Sequence, residues 1–395
     1  MTVKESLDLI FGNVEELNLT KKVNLNECVG EILASDLKVV KDLPCFDNSA
    51  LDGYAFDYAE VGSTLKIVGT IYAGDKTEYI LKKGECYKIM TGAMMPKGAN
   101  TVVRLEDAKF IKDESGEELL KTDESIKKFD AFRLKGEETK VGEILLNKGE
   151  VLTPAKAMLL ASQGINEVEV FTRPRVALFS SGDELKEPWE VASEYEIYNA
   201  NASGIKALLN DYECDYKGII TDDLDSTINA IKNNQNYDVI VTSGGASAGD
   251  KDYMDEALQS LGYRQLFDYI QIKPGRPTKC YIKDKNIVFV LPGNPTAAFL
   301  LCFLVVLPTL KRISGQNEPY FKTIKAKFNG NLKLKSGRTN ATFGIYEDGK
   351  FSVIDDNKFG SGTIKPLSKA THLHLSDVSQ SGLSDGETIK IIEIS

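Results

Sequence analysis

The chain has 395 residues, 42% of them apolar, enough to fill the cores of two to four domains, and a formal net charge of −10. That balance lacks the basic face of a general nucleic-acid binder and admits a small anionic substrate only where local cations gather. The six cysteines, at 28, 45, 86, 214, 280 and 302, show no CxxC or zinc spacing, so reduced and mostly buried thiols are expected.

The opening MTVKESLDLIFGN carries Lys4, Glu5 and Asp8 inside its apolar pattern. It lacks the unbroken apolar run of a signal peptide, and a cytoplasmic location is expected. Apolar residues at helical spacing predict helices over 3–17 (Val3, Leu7, Ile10, Phe11, Val14) and 24–37 (Leu25, Val29, Ile32, Leu33). From Leu43 to about Lys127, short alternating runs such as STLKIVGTIYAG and ANTVVRL predict a β-rich domain, with DESGEELLKTDES a solvated hairpin or loop. In it, FDNSALDGYAF sets Asp47, Asn48, Ser49 and Asp52 around a tight turn ending in Gly53. KIMTGAMMPKGANTVVRLED adds Thr91, Gly92 and Glu106 as candidates for a second polar wall. A polar turn entering a sheet accounts for the first group without any function.

Two glycine-punctuated strands follow within FRLKGEETKVGEILLNKGEV, then a helix opened by Thr153 as N-cap and Pro154 at its first position. From Arg173 the rhythm is strand then helix: RVALFSSGDEL, NASGIKALLNDY, YKGIITDD, DSTINAIKNN, YDVIVTSGG, YMDEALQSLG, and later NIVFVLPGNPTAAFLL. This alternation predicts a doubly wound, mostly parallel sheet with helices on both faces. The most apolar run, 297–310, has 14 residues, short of the ~20 a membrane span needs, and predicts a buried helix. From about Ser314 a separate β domain is expected. It holds the two histidines, His372 and His374, on one partly exposed strand face, a better account than a metal pair. The resulting multidomain α/β organisation is a mixed, partly helical N-terminal domain (1–43 plus 127–168), a β-rich insertion (44–126), the central α/β domain (169–315) and a C-terminal β domain (316–395).

Ligands of doubly wound sheets gather outside the carboxyl ends of the strands. There SSGDEL, TSGGASAGDKD and PGNPT converge, and Ser243, Gly244, Gly245, Ser247, Gly249, Pro292, Gly293 and Asn294 offer close backbone approach and helix starts for an anion. Yet Glu184, Asp222, Asp250 and Asp252 stand at the same strand ends, and Asp255 and Glu256 follow. A hard cation such as Mg²⁺, bound by Glu184, Asp250 and Asp252, lets carboxylates and phosphate share one site. For each acid alone, a helix cap or solvated charge is the alternative. IKPGRPTKC adds Lys273, Arg276 and Lys279 as partners for phosphate or another oxyanion, the alternative being a turn with solvated bases.

The ordered set DNSALDGYAF, TGAMMP with Glu106, RLKGEE, SSGDEL, TSGGASAGDKDY, KPGRP and LPGNP resembles the molybdopterin molybdenumtransferases, which include bacterial MoeA proteins and the E domain of gephyrin. The resemblance covers nearly the whole chain. It implies molybdate insertion into adenylylated molybdopterin with release of AMP, with Mg²⁺ as the cation. It also implies a homodimer whose active site lies between the central domain of one subunit and the β-rich domain of the other. Carried onto this sequence, it makes Asp52, Thr91, Glu184, Asp222, Asp252 and Lys273 catalytic residues, with Arg276 among the substrate-binding ones. Arg338 and Ser361 are weaker candidates. A molybdopterin adenylyltransferase and molybdoenzyme acceptors are the implied protein partners. The chain departs from the family pattern at Leu51, Glu138, Arg276 and Tyr269, where methionine, aspartate, lysine and, in some members, a basic residue are usual. A non-catalytic scaffold of the gephyrin kind, or an adenylyltransferase-type enzyme working through the central domain alone, are the competing readings.

Overall fold

The computed structural model describes residues 1–246, 253–357, 360 and 362–394. Contacts divide the chain into two units, one of Ser35–Lys148 and Thr153–Glu167, the other of Met1–Ala34, Gly149–Leu152 and Val168–Ser395.

The first unit is built on a six-stranded sheet in the order Thr101–Arg104, Gly53–Phe56, Glu85–Ile89, Thr64–Ile71, Glu118–Lys121, Lys109–Lys112. Alternation along GYAF sends Tyr54 and Phe56 into one apolar cluster and Ala55 into another on the opposite face, so all four residues are buried. Gly53 is required there because a Cβ would stand 2.1 Å from the Val103 carbonyl oxygen. The expected solvated hairpin forms between Lys109–Lys112 and Glu118–Lys121. Helix Pro154–Ser162 starts as predicted, with the Thr153 hydroxyl accepting from the Lys156 N–H at 3.3 Å.

In the second unit the central sheet runs Glu213–Ile220, Arg175–Ser181, Val239–Ser243, Asn286–Leu291, Lys279–Lys283, Arg264–Phe267. The first four strands are parallel and the last two add antiparallel. Val176, Leu178, Val239 and Val241 face one core with helix Ala200–Leu208, while Ala177, Phe179 and Ile240 face another with helices Leu224–Lys232 and Met254–Ser260. Apolar on both faces, the middle strands are buried from end to end, as a sheet covered by helices on both sides requires.

The expected 14-residue apolar run belongs to a longer helical stretch, Pro295–Ile313. It is long and apolar enough to cross a membrane by composition, but most of it is buried in the protein. A π-helical segment, Cys302–Val306, precedes Pro308, whose missing N–H and bulk disfavour a regular α-helical turn there.

The C-terminal strands form a closed barrel. Thr339–Glu347, Lys350–Val353, Ile324–Asn329, Thr388–Glu393 and His372–Leu375 pair in succession, and the last returns to the first. Ile272–Lys273 adds to it in parallel, with Ile272 opposite Thr339 and Lys273 opposite Asn340. His372 and His374 do share a strand face, but they are buried rather than partly exposed, and burial pushes both imidazoles below their usual range.

Two predicted helices differ. The first, with a capping box between Thr2 and Glu5, stops at Phe11, where Gly12 and Asn13 end the run of good helix formers. Over 24–37 there is no α-helix. Gly30 takes φ +86°, and Ile32 and Leu33 bridge to Val151 and Val170, so tertiary pairing overrides the apolar spacing.

Candidate active site

Strand Arg175–Ser181 runs out into Gly182, Asp183 and Glu184. The Glu184 carboxylate folds back over Gly182, 2.6 Å from where a Cβ would stand, so a side chain there would displace it. The next strand delivers Asp222, whose N–H donates to Asp183 Oδ1 at 3.0 Å and whose carboxylate accepts from the Ser181 hydroxyl at 3.4 Å. Asp183, which the motif reading did not single out, thus joins the two loops.

The rim continues at Ser243. Gly244, at φ +106°, lies so close to the first strand that a Cβ would be 2.3 Å from the Ser181 oxygen. Its N–H donates to the Leu291 oxygen at 3.0 Å. Asn201, in the first turn of helix Ala200–Leu208, donates to the Ser243 hydroxyl and to the Gly293 carbonyl, both at 2.7 Å. Asn201 was not among the expected site residues; its polar side chain beside the cap Asn199 carried no pattern pointing to a second strand end. Below the rim, Ser180 donates to Asn199, Asn199 to Tyr216, and Tyr216 to Glu187 at 2.5 Å. Burial first, then the Glu187 carboxylate, push the Tyr216 phenol above its usual range and keep it a donor.

Beyond Pro292 and Asn294 opens a cavity of about 620 Å³. Lys273 and Arg276 line it from one segment, and Lys333, Lys335 and Arg338 from another, with no carboxylate in the described lining. The N-terminus of the helix starting at Pro295 faces it through Thr296 and Ala297, adding partial positive charge. Gly275 allows the KPGRP turn to press onto the helix, since a Cβ would lie 2.0 Å from Leu301 Cδ2. Arg276 stacks over Tyr269, 5.3 Å from the ring centroid, so two departures from the family pattern touch each other. Arg338 Nε is buried and has no hydrogen-bond partner among the described residues.

Lys279 does not join these cations. Its side chain is 8% exposed and its Nζ donates to both oxygens of Asp255 at 2.8 Å, while the Tyr281 hydroxyl donates to Asp255 at 2.6 Å. The period-2 strand Lys279–Lys283 carries it inward, toward the helix bearing Asp255. That pairing also neutralises one of the acids that follow the SGG turn.

In the β-rich unit, Asp52 Oδ1 accepts from both the N–H and the hydroxyl of Thr91, at 2.6 and 2.7 Å. These two bonds hold the Asp52 carboxyl below its ordinary range. Glu106 instead borders another hollow on the same unit, with Arg104 and Lys109.

Among the described residues, Ser243, Gly244, Gly245, Pro292, Gly293, Asn294, Glu184 and Asp222 lie on the strand-end loops, and Lys273, Arg276, Pro292 and Asn294 line the basic cavity. Ser247, Gly249, Asp250, Asp252 and Ser361 lie outside the described residues. No three His, Cys, Asp or Glu side chains gather as a ready-made metal cage among the described residues.

Residues 1–164 match the family described as the MoeA N-terminal region (domains I and II), and residues 177–312 match a probable molybdopterin binding domain. The chain is 32% identical over 387 residues to a molybdopterin molybdenumtransferase of Haemophilus influenzae, covering 94% of this chain and 93% of that one. A Staphylococcus aureus protein of the same name is 30% identical over 405 residues, covering 99% and 94%. The crystal structure of a molybdopterin biosynthesis MoeA protein from Pyrococcus horikoshii superposes over the full length of both chains with a TM-score of 0.85 at 27% identity.

Proposed function

We propose, from the premise that the chain belongs to the molybdopterin molybdenumtransferase family, a division of labour between its strand-end rim and its basic cavity. The chain is a transferase of molybdenum cofactor biosynthesis. In our reading its substrates are adenylylated molybdopterin and molybdate, and AMP leaves as the metal enters the dithiolene. The phosphoanhydride lies along the rim of Ser243, Gly244, Gly245 and Gly293, where the three glycines have no side chain to block its approach. Molybdate, a tetrahedral dianion, sits among Lys273, Arg276 and Arg338.

The observation that carries this reading is that the two regions share one turn. Pro292 and Asn294 line the cavity, while the Gly293 carbonyl between them is bonded to Asn201 and through it to Ser243. An oxyanion bound in the cavity and a phosphoanhydride bound along the rim would lie side by side, so molybdate is held next to the substrate whose anhydride is cleaved as AMP leaves.

The carboxylates suit Mg²⁺, which takes hard oxygens and is often held by only one or two carboxylates, with waters and substrate phosphate completing its shell. Glu184 and Asp222, with Asp250 and Asp252 from the sequence, would hold it. When bound it supplies Lewis-acid charge at the phosphoanhydride. Asp183 and Ser181 orient Asp222, and Gly182 leaves Glu184 free to fold over the loop. Asp52 and Thr91 complete the site from the β-rich domain of a second subunit in a homodimer, within the four-domain division at 43/44, 126/127, 168/169 and 315/316. A cytoplasmic site of action accords with six cysteines that are free thiols.

The test supplies purified protein with adenylylated molybdopterin, Mg²⁺ and molybdate, and follows AMP release together with activation of a molybdoenzyme apoprotein. Both are expected, and Asp252→Ala is expected to abolish AMP release while leaving the dimer folded. Intact substrate after incubation with wild-type protein would sink the reading.

A further inference from the structure

The cations of the basic cavity come from two stretches of chain, Lys273 with Arg276 and Lys333 with Lys335 and Arg338. Like charges gathered without carboxylates repel, so the backbone must hold them. The second stretch is pinned repeatedly. Lys333 pairs with Gly382, Leu334 N–H donates to the Ser381 oxygen at 2.9 Å, and Gly337, at φ +86°, donates to the Val378 oxygen at 2.7 Å.

Asn340 supplies the remaining pin. Its Nδ2 donates to the carbonyls of Lys335 at 3.0 Å and Arg338 at 3.2 Å, and to the Ser376 hydroxyl at 3.2 Å. The same residue stands opposite Lys273 in the parallel strand pair and is 7% exposed. One buried side chain thus fixes the Lys335–Arg338 turn relative to Lys273. Within that turn, Arg338 Nε is buried without a partner among the described residues, a donor whose desolvation an incoming anion would offset.

We infer that Lys335 is a further oxyanion-binding residue of this cavity and that Asn340 is the positioning residue that sets it against the anion held by Lys273. The inference rests on reading the cavity as the molybdate site. Lys335 contributes a flexible ammonium that reaches an oxygen the Lys273 and Arg276 side does not cover. Asn340 also lines the cavity, but its side-chain amide is committed to the turn; it removes the freedom of that turn, so less entropy is lost when the anion binds.

The experiment is calorimetric titration of the full-length protein with molybdate alone. Lys335→Gln changes an exposed side chain and is expected to weaken binding about fivefold to tenfold, as loss of one charge-assisted contact at a solvated site does. Lys335→Arg is expected to restore most of the affinity. Asn340→Ala is expected to weaken binding by a similar factor. The double variant should then fall short of the product of the two single effects, because Asn340 acts through Lys335. Unchanged affinity in Lys335→Gln, or single effects that simply multiply, would overturn the inference. If Asn340→Ala does not fold, the Lys335→Gln and Lys335→Arg pair decides alone. Wild-type protein that binds no molybdate would instead overturn the reading of the cavity itself.

Discussion

Thr91 donates twice to a single oxygen of Asp52, once from its backbone and once from its hydroxyl. The pair joins the DNSALDG turn to the KIMTG turn, and it keeps an exposed carboxylate charged at lower pH than an isolated aspartate. The folded-state pKa is depressed, chiefly by the Thr91 hydroxyl and then by its N–H. The associated stability is therefore present above the ordinary aspartate value of about 3.9 and is lost as pH falls through the lower folded value. Thr91→Val removes the hydroxyl and spares the N–H. A carboxyl-carbon NMR titration should show Asp52 moving partway back up, and the acid limb of AMP release should move to higher pH. An unmoved Asp52 titration would mean that the hydroxyl does not hold the carboxylate.

Much of this arrangement was legible in the sequence because it depends on local pattern. The βα rhythm from Arg173, the Thr153–Pro154 helix start and the strand ends at Ser181, Ser243 and Leu291 each follow from short-range rules, and the structure has all of them. The failures share a different cause. Ile32 and Leu33 read as one face of a helix, but partners at Val151 and Val170, more than a hundred residues away, take them instead. Lys279 read as a third cation of the KPGRP segment, but a lysine's destination depends on what lies across the fold, and Asp255 was there. Asn201 and Asp183 act by bonding loops distant in sequence, and Asn340 by bonding the carbonyls of the turn just before it together with Ser376; such roles leave no spacing to find.

Asn201 gives the clearest consequence of that kind. It holds Ser243 and Gly293 together, so Asn201→Ala removes two bonds, one to the buried Ser243 hydroxyl and one to the carbonyl of the exposed Gly293. A loss of about 1–3 kcal/mol in stability is expected. The KM for adenylylated molybdopterin should rise more than the KM for molybdate, because Asn201 holds Ser243 and Gly293 of the rim directly, whereas the cations of the cavity come from other segments. Thermal melting together with the two KM values checks both points; a change in melting alone would make Asn201 purely structural.

Lys279 separates structural from functional cations. Its ion pair with Asp255 is buried on the lysine side only; the Asp255 side chain is 40% exposed and keeps the Tyr281 hydroxyl as a donor. Lys279→Gln should cost about 1–2 kcal/mol in chemical unfolding, the loss of one charged hydrogen-bond pair whose acid partner is solvated. Molybdate affinity of the folded variant should stay within twofold of wild type. Lys273→Gln should do the reverse, with little effect on unfolding and a large loss of molybdate binding. A matching loss of anion affinity in Lys279→Gln would return it to the cavity.

Two glycines test whether the rim is as tight as its geometry implies. Gly204, inside helix Ala200–Leu208, has no atom within 4 Å of the place a Cβ would take, and its backbone conformation is ordinary. Gly204→Ala should therefore stabilise the protein by about 0.5–1 kcal/mol, the usual gain in helix propensity. Gly244 has φ +106° and a Cβ position 2.3 Å from the Ser181 oxygen. A methyl there must either push apart two adjacent parallel strands or move the turn, at a cost of at least about 2 kcal/mol. On the proposed placement of the phosphoanhydride along this turn, Gly244→Ala should lose AMP release even at a temperature where it remains folded. Comparing the two variants by thermal melting and by turnover separates strain at the rim from any general intolerance of added bulk in this domain.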